Sequence, residues 1–394
     1  MSDGTASDRV VAPVFPSAGR VDALTGLRAV TALLVFFFHI RTFFSVDAFG
    51  PFERFAQQGA SGVGAFFVLS GFVLAWARSA DGISHAEFIT RRLARVGPAY
   101  FVAFAVAFAL RLVLGEVGVF GGLASLFLVQ AWWPAEDVYF SVEPVFWSLS
   151  VEFAFYLCFP FLIGRLRGLG QVRHAFLILY CLAGMCIVAA MAGDLAGASF
   201  WVVYISPLTR LLEFVIGVSL GLIFVERNAR GRLLPAWSPL AALAVAVAAY
   251  FSAGSLPEVV RPTLVMIVPW ILLIGSLAMS GRGLGLDAAV SVRLGEWSYA
   301  FYLIHTLVIS LVLKAAGVGG FDAADADLAP LMVGVLVVVS LGASVVGAAA
   351  LHHLVEIPGR RKVLAWSAAR RPIPAEPTPI ANAEAPPKTE SQVA

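Results

Sequence analysis

Long apolar segments recur along the whole chain and alternate with short polar segments that are rich in arginine. A helix that crosses a bilayer needs about 17 to 25 mostly apolar residues. Segments of about this length predict an all-α, polytopic membrane bundle of about ten transmembrane helices. The predicted spans are 27–46, 60–78, 96–114, 145–164, 175–192, 205–225, 239–254, 263–280, 298–316 and 331–355.

One further apolar run, 121–133, is short for a span and has the length of a re-entrant or interfacial segment. If it does not cross, most of the basic residues fall on one side of the membrane, which the positive-inside rule makes cytoplasmic. If it did cross, the arginine clusters downstream of it would move to the outside. We therefore expect both termini to be cytoplasmic and residues 115–144 to form an aromatic-rich outer loop.

The amino-acid composition indicates whether the chain lies in water or in a lipid bilayer. Hydrophobic residues make up 60% of it and charged residues only 13%, whereas about a quarter of a soluble globular domain is charged. We therefore expect a multi-pass protein of the cell membrane, with the lipid bilayer as its solvent. A net charge of +2 gives no reason to expect a nucleic-acid partner. The three cysteines lie in apolar runs and are interpreted as buried hydrophobic residues, so no metal is expected.

The same pattern divides the chain into three regions. Residues 1–20 form a cytoplasmic N-terminal segment, 21–364 the membrane domain, and 365–394 a tail rich in Pro, Ala and Glu. That composition is typical of disordered sequence. No small-residue cleavage pattern follows the first apolar run, so this run is expected to remain as a membrane anchor.

The first apolar run contains a histidine. His39 lies eleven positions after Arg28, or roughly 16 Å farther along a helix. This spacing places Arg28 at the cytoplasmic surface and His39 near the midplane. An ionisable group at that depth is a functional-site hypothesis by default, although a neighbouring helix could satisfy His39 as part of the core. Burial favours neutral imidazole, which is the form that acts as a general base.

Three arginines precede the third span. Arg92 and Arg95 are three residues apart and share one helix face, and Arg91 lies beside them. They could simply anchor the topology as positive-inside residues. Alternatively, the guanidinium groups form a fork for phosphates, for which arginine is better suited than lysine. Coenzyme A, with its pyrophosphate and 3′-phosphate, fits such a fork.

Two more ionisable residues lie within predicted spans. Glu152 is about two turns inside the fourth span and His305 is well inside the ninth. Each needs a partner or a water-filled cavity, and His305 could also be a core histidine. The outer loop combines aromatic faces with carboxylates, a composition that suits sugar binding and equally suits interfacial anchoring. These loop residues are Trp132, Trp133, Glu136, Asp137, Tyr139 and Glu143.

Together these features resemble the acyltransferase-3 family of bacterial integral-membrane O-acyltransferases, from about residue 20 to residue 362. Five motifs in chain order carry the resemblance. They are Leu-Thr-Gly-Leu-Arg-x10-His (Arg28, His39), Phe-Phe-x-x-Ser-Gly (Phe66, Phe67, Ser70, Gly71), Arg-x-x-Arg (Arg92, Arg95), Trp-Ser-Leu-x-x-Glu (Trp147, Ser148, Glu152) and Ser-Tyr-x-x-Tyr-Leu-x-His (Ser298, Tyr299, Tyr302, His305).

The resemblance implies transfer of an acyl group, most often acetyl, from acyl-CoA to a hydroxyl, with no metal. In this interpretation Arg28, Arg92 and Arg95 bind acyl-CoA. His39 is the general base, and Glu152 orients His39 or the acceptor hydroxyl. An acyl-histidine relay is the alternative mechanism. Further motif residues are expected to bind substrate, namely Trp147, Ser148, Tyr302 and His305.

The acceptor class stays open. Family members that act on polysaccharide often begin with Asp-Gly-Leu-Arg and carry paired glutamates, whereas this chain has Thr-Gly-Leu-Arg at 25–28 and Glu152-Phe153. The Thr-Gly-Leu-Arg form looks more like actinobacterial relatives, some of which acylate macrolide antibiotics. A cell-envelope glycan or glycolipid and a macrolide-type secondary metabolite are both compatible with the motifs.

A membrane transporter is the competing functional class, because charged residues within spans also mark solute pathways. Many transporters consist of repeated halves with broken helices. No such symmetry is visible in this sequence.

Overall fold

The computed structural model of the chain describes residues 21–43, 50–78, 84–116, 118–192, 198–231, 233–252, 261–318 and 329–369. Within these ranges the chain is helical and contains no β-strand. The helices are α1 (Asp22–Phe43), α2 (Gly50–Gln57), α3 (Ser61–Arg78), α4 (His85–Leu114), α5 (Val119–Leu126), α6 (Glu136–Tyr139), α7 (Trp147–Leu166), α8 (Gln171–Ala192), α9 (Pro207–Ala229), α10 (Ser238–Ser252), α11 (Met266–Met279), α12 (Ala289–Ala315), α13 (Pro330–Leu351) and α14 (Ile357–Ala369).

The predicted helical membrane bundle is confirmed. In the described part of the chain, 8 helices are long and apolar enough to cross a membrane, and two shorter apolar helices, Ser238–Ser252 and Thr263–Met279, accompany them. Each predicted span therefore coincides with a helix. The number that crosses the bilayer and the cytoplasmic location of the termini stay predictions.

The ambiguous run 121–133 is broken in the structure. It contains most of the 8-residue helix α5, then a turn, then a short 3-10 turn over Gln130–Trp132. Neither piece approaches the length of a membrane-spanning helix. This agrees with the interpretation of the run as part of a loop.

The predicted domain boundaries lie near the ends of the described chain. Helix α14 continues to Ala369, past the expected end of the membrane domain at residue 364. The N-terminal segment 1–20 and the tail beyond residue 369 lie outside the described residues.

Helices α3 and α9 pack closely because glycines face each other across them. A methyl group added at Gly71 would lie 2.2 Å from the carbonyl oxygen of Phe214, and one added at Gly217 would lie 2.0 Å from that of Val68. No side chain fits at such distances. The small residues of the Phe-Phe-x-x-Ser-Gly motif therefore let two backbones touch, as is common in membrane bundles.

Helix α1 is held in the same way against its neighbours. It packs along α12 and α3, and a methyl group on Gly295 of α12 would lie 1.8 Å from the carbonyl oxygen of Thr25. Helices α4, α7 and α9 pack around this central group. The contacts fix the register of α1, and with it the positions of Arg28 and His39, relative to α12.

Candidate active site

A narrow cavity of about 100 Å³ lies between α1, α3, α4, α7 and α12. Three arginines line it, Arg28 from α1 and Arg92 and Arg95 from α4, so we name it the arginine cavity. The structure thus brings together the three residues that sequence reasoning assigned to acyl-CoA. Its other polar lining residues are Ser70, Ser148, Glu152, Tyr156, Ser298, Tyr299 and Tyr302.

The start of α4 determines which arginines reach this cavity. The Ser84 side chain caps the helix by accepting a hydrogen bond from the backbone N–H of Glu87 at 3.2 Å. Arg91 is exposed and donates to the Glu87 carboxylate at 2.7 Å. Arg92 and Arg95, which are three residues apart, both line the cavity.

Glu152 also lines the arginine cavity. Its Oε1 accepts hydrogen bonds from the hydroxyls of Tyr156 at 2.6 Å and Ser70 at 3.2 Å. We expected Glu152 to orient His39 or the acceptor. The structure places it among the arginines, because α7 turns this residue toward α3 and α4, and the orienting role stays a prediction. There its charge partly balances those of Arg28 and Arg92.

His39 and His305 form a hydrogen-bonded pair between α1 and α12. Nε2 of His305 lies 3.1 Å from Nδ1 of His39. Nδ1 of His305 faces the backbone carbonyl of Tyr302 at 2.9 Å, so it must carry a proton and donate. Neutral His305 therefore accepts at Nε2.

The tautomer of His39 follows from the same reasoning. Its Nδ1 also lies 2.9 Å from the carbonyl oxygen of Val35. A nitrogen that faces two acceptors carries the proton, so the basic lone pair of neutral His39 is on Nε2. His305 is therefore a hydrogen-bond acceptor for Nδ1 of His39.

His39 lines a second and larger cavity of about 500 Å³, which we name the histidine cavity. Its walls are mainly aromatic and aliphatic, which suits a ring with an apolar face. The polar lining residues are Thr42, Gln57, Arg111, Tyr204, Tyr302 and Thr306, and the aromatic lining residues include Phe38, Phe43, Phe140, Trp147 and Phe200.

The two cavities meet at a thin wall. Val63 and Tyr302 line both of them. The Tyr302 hydroxyl is 2.8 Å from that of Ser148, which donates to the carbonyl oxygen of Val145 at 3.0 Å. Trp147 belongs to the histidine cavity and Ser148 to the arginine cavity. The motif residues Trp147, Ser148 and Tyr302 are therefore parts of this wall.

Sequence reasoning missed an ion pair behind the wall. Arg210 and Glu213 on α9 are joined at 2.7 Å, with 1% of each side chain exposed. The signal that could have identified the pair is an arginine and a glutamate three apart inside an apolar segment, which share one helix face.

Glu143 is likewise more deeply buried than a loop residue suggests. Only 1% of it is exposed, and it accepts a hydrogen bond from the Thr306 hydroxyl, next to His305. Burial raises the pKa of Glu143 to about 7, although the Thr306 hydrogen bond and the charge of Arg111 act in the opposite direction. The nearby loop residues Trp132 and Trp133 are 46% and 47% exposed.

No group of three or more His, Cys, Asp or Glu side chains in the described ranges could hold a metal ion. The arrangement offers a cationic cavity, an imidazole pair with a basic nitrogen, and an aromatic cavity beside it. This combination can bind an anionic ligand on one side of the wall and deprotonate a hydroxyl on the other.

Comparison with known proteins identifies the family to which the chain belongs. A family model described as "Acyltransferase domain" matches residues 21–352. Acyltransferase MdmB of Streptomyces mycarofaciens is 34% identical over 398 residues, covering 94% of this chain and 98% of MdmB. Exopolysaccharide production protein ExoZ of Rhizobium meliloti is 29% identical, covering 71% of this chain and 86% of ExoZ.

A more distant relative is O-acetyltransferase OatA of Staphylococcus aureus, which is 27% identical and covers 51% of this chain and 34% of OatA. No solved structure matches the chain. The family match extends over the helices that build both cavities, and MdmB aligns along nearly its whole length. The chain therefore belongs to the acyltransferase-3 family and is a multi-pass membrane acyltransferase.

Proposed function

We propose that this acyltransferase moves an acyl group, acetyl in the first instance, from acyl-CoA to a hydroxyl of a sugar-containing acceptor. The observation that carries the proposal is the meeting of two chemically different cavities at Val63 and Tyr302. One is cationic and the other contains an imidazole beside apolar walls. Two substrates that approach from opposite sides would meet at this wall.

The arginine cavity would hold the donor. Arg28, Arg92 and Arg95 carry three positive charges, whereas the lining contains a single carboxylate, Glu152. The surplus of positive charge favours an anionic ligand, and guanidinium groups match phosphate oxygens in pairs. The cavity of about 100 Å³ would take the acylated end of the pantetheine arm, and the arginines that line it would hold the phosphates.

His39 would act as the general base for the acceptor hydroxyl. The acceptor oxygen forms a bond to the thioester carbonyl carbon while its proton passes to Nε2 of His39. The carbon–sulfur bond then breaks, and the proton returns to the leaving sulfur to give free CoA and an ester. His305 would support this role by accepting from Nδ1 of His39 and so holding the basic tautomer.

The histidine cavity would hold the acceptor. Trp147, Tyr204 and Phe200 supply aromatic rings to its wall, which suit an apolar surface of the ligand, and a cavity of about 500 Å³ would accommodate one sugar ring with its substituents. The names of ExoZ and OatA connect the family with exopolysaccharide and with O-acetylation. A cell-envelope glycan or glycolipid and a macrolide-type metabolite are the acceptor classes that we propose.

Labelled acetyl-CoA tests this function. Purified protein in lipid nanodiscs is incubated with acetyl-CoA that carries radioactive acetyl, together with a glycolipid extract or a panel of glycosylated macrolides. We expect protein-dependent ester label in at least one acceptor and stoichiometric release of CoA. Absence of transfer to every acceptor, together with uptake of solute by proteoliposomes, would instead support the transporter alternative.

A further inference from the structure

The Arg210–Glu213 pair lies directly behind the wall between the two cavities. The guanidinium carbon of Arg210 is 4.3 Å from the ring centroid of Tyr204, 5.8 Å from that of Trp147 and 5.9 Å from that of Phe67. Trp147 and Tyr204 line the histidine cavity, and Phe67 lines the arginine cavity. One cation therefore contacts aromatic rings that belong to both substrate cavities.

Hydrogen bonds fix the orientation of this cation. Nε of Arg210 donates to the carbonyl oxygen of Tyr204 at 2.6 Å, and Nη1 donates to Glu213 at 2.7 Å. The Tyr204 carbonyl belongs to a π-helical turn over Trp201–Ile205, which leads into α9. Arg210 thus joins that turn, the ion pair and the aromatic rings into one unit.

Glycine at position 64 lets α3 approach this unit. A methyl group there would lie 3.2 Å from a carboxylate oxygen of Glu213. Phe67 and Ser70 on the same helix line the arginine cavity. A shift of the ion pair would therefore displace α3 and with it one side of that cavity. A larger side chain at Gly64 would push against the carboxylate.

A charge pair at this depth is expensive to bury, and an apolar pair of similar size would often give equal or greater stability. Stability alone therefore does not explain why the pair is built into the wall. A planar guanidinium can stack on aromatic faces and bond in two directions at once, which fixes ring positions in a way that packing of flexible apolar chains does not.

We infer that Arg210, held by Glu213, is a positioning residue that sets the aromatic wall so that acceptor and thioester meet in reactive geometry. This inference rests on the proposed function. Arg210 contacts neither substrate in this account and acts through Tyr204, Trp147 and Phe67. A small displacement of these rings would shift the acceptor relative to the thioester, and misplacement by about 1 Å can cost about a hundredfold in rate.

Arg210→Lys is the decisive variant, because lysine keeps the charge beside Glu213 but loses the planar fork. We expect normal yield of folded protein, unchanged affinity for CoA, and a fall of kcat/KM for the acceptor between about tenfold and a hundredfold. Arg230→Lys is the matched control, since Arg230 pairs with Glu226 near the end of the same helix but is 54% exposed. It should leave all three quantities unchanged.

A second variant replaces both members of the ion pair and serves if the Arg210→Lys protein does not fold. The double variant Arg210→Met with Glu213→Leu removes both charges, so that no uncompensated ion remains. We expect folded protein with normal CoA affinity and the same loss in acceptor kcat/KM. Wild-type kinetics in whichever of these two variants folds would overturn the positioning role. A wild-type enzyme that transfers no acyl group would instead overturn the proposed function itself.

Discussion

The imidazole rings of His39 and His305 lie 5.0 Å apart between centroids, and Nε2 of His305 is 3.1 Å from Nδ1 of His39. The two residues come from helices at opposite ends of the chain. His305 is fully buried and stacks against Phe301, whereas His39 lines the histidine cavity. The pair therefore consists of a half-buried base that lines a cavity and a fully buried partner that fixes its tautomer.

Removal of the buried partner should slow transfer without changing substrate binding. His305→Ala deletes one hydrogen bond to His39, and such a bond contributes roughly 0.5–1.5 kcal/mol, or up to about tenfold in rate. We expect kcat to fall by about that factor, with both KM values unchanged, in steady-state assays. A loss as large as that of His39→Ala would mean that His305 is itself the base.

Substitutions of neighbouring arginines on α4 should distinguish a role in donor binding from a role in membrane topology. Arg92→Ala should raise the KM for acyl-CoA at least about tenfold and leave the KM for the acceptor unchanged, because its proposed contacts are to the phosphates of CoA. Arg92→Lys should recover only part of the loss. Titration with acyl-CoA at saturating acceptor measures both effects.

Arg91 provides the matched control for this prediction. It lies in the same basic cluster but is exposed and paired with Glu87 rather than facing the arginine cavity. Arg91→Ala should leave the KM for acyl-CoA unchanged. Equal effects of Arg91→Ala and Arg92→Ala, together with altered orientation in the membrane, would favour the topology-anchor interpretation.

Glycine contacts between α3 and α9 should tolerate no added methyl group. Gly71→Ala would bring a methyl carbon within 2.2 Å of the Phe214 carbonyl oxygen, and overpacking of this kind costs about 1–3 kcal/mol or more. We expect a lower melting temperature and less monodisperse protein in detergent. Gly334→Ala on α13 meets no atom within 4 Å and should leave both measurements unchanged.

Glu143 should make stability depend on pH. Burial raises the pKa of its carboxyl from the usual 4.5 to about 7 in the folded protein. Between these values the folded state binds more protons than the unfolded state, so stability falls as pH rises from about 4.5 to 7 and then stays level. The effect is on the order of 3 kcal/mol.

Glu143→Gln isolates this contribution, because glutamine keeps the size and the hydrogen bond to Thr306 but does not titrate. Other titratable groups are the same in both proteins, including Arg111, whose charge acts on Glu143. We expect equal melting temperatures at pH 5 and a higher one for the variant at pH 8. Equal melting temperatures at both pH values would mean that the Glu143 carboxyl titrates normally.

The sequence predicted the helices and part of the site, because both depend on local spacing. Hydropathy determines where each span lies, and the intervals from Arg28 to His39 and from Arg92 to Arg95 follow from helix geometry. The structure accordingly brings Arg28, Arg92 and Arg95 to one cavity.

Contacts between distant helices could not be predicted in this way. The position of Glu152 among the arginines depends on the rotation of α7 about its axis, which hydropathy does not encode. The pairing of His39 with His305 depends on the register between α1 and α12, which Gly295 sets by its contact with Thr25. Spacing within one helix carries no such information.

The rate of acyl transfer by His39→Ala, measured at saturating acyl-CoA and acceptor together with its affinity for CoA, tests the role of His39 most directly. A general base is worth about 10²- to 10⁴-fold, and His39 lines the histidine cavity but not the arginine cavity that would hold CoA. We predict a kcat lowered by that factor, with CoA affinity and expression equal to wild type. Transfer at more than half the wild-type rate by correctly inserted protein would contradict the central role of His39.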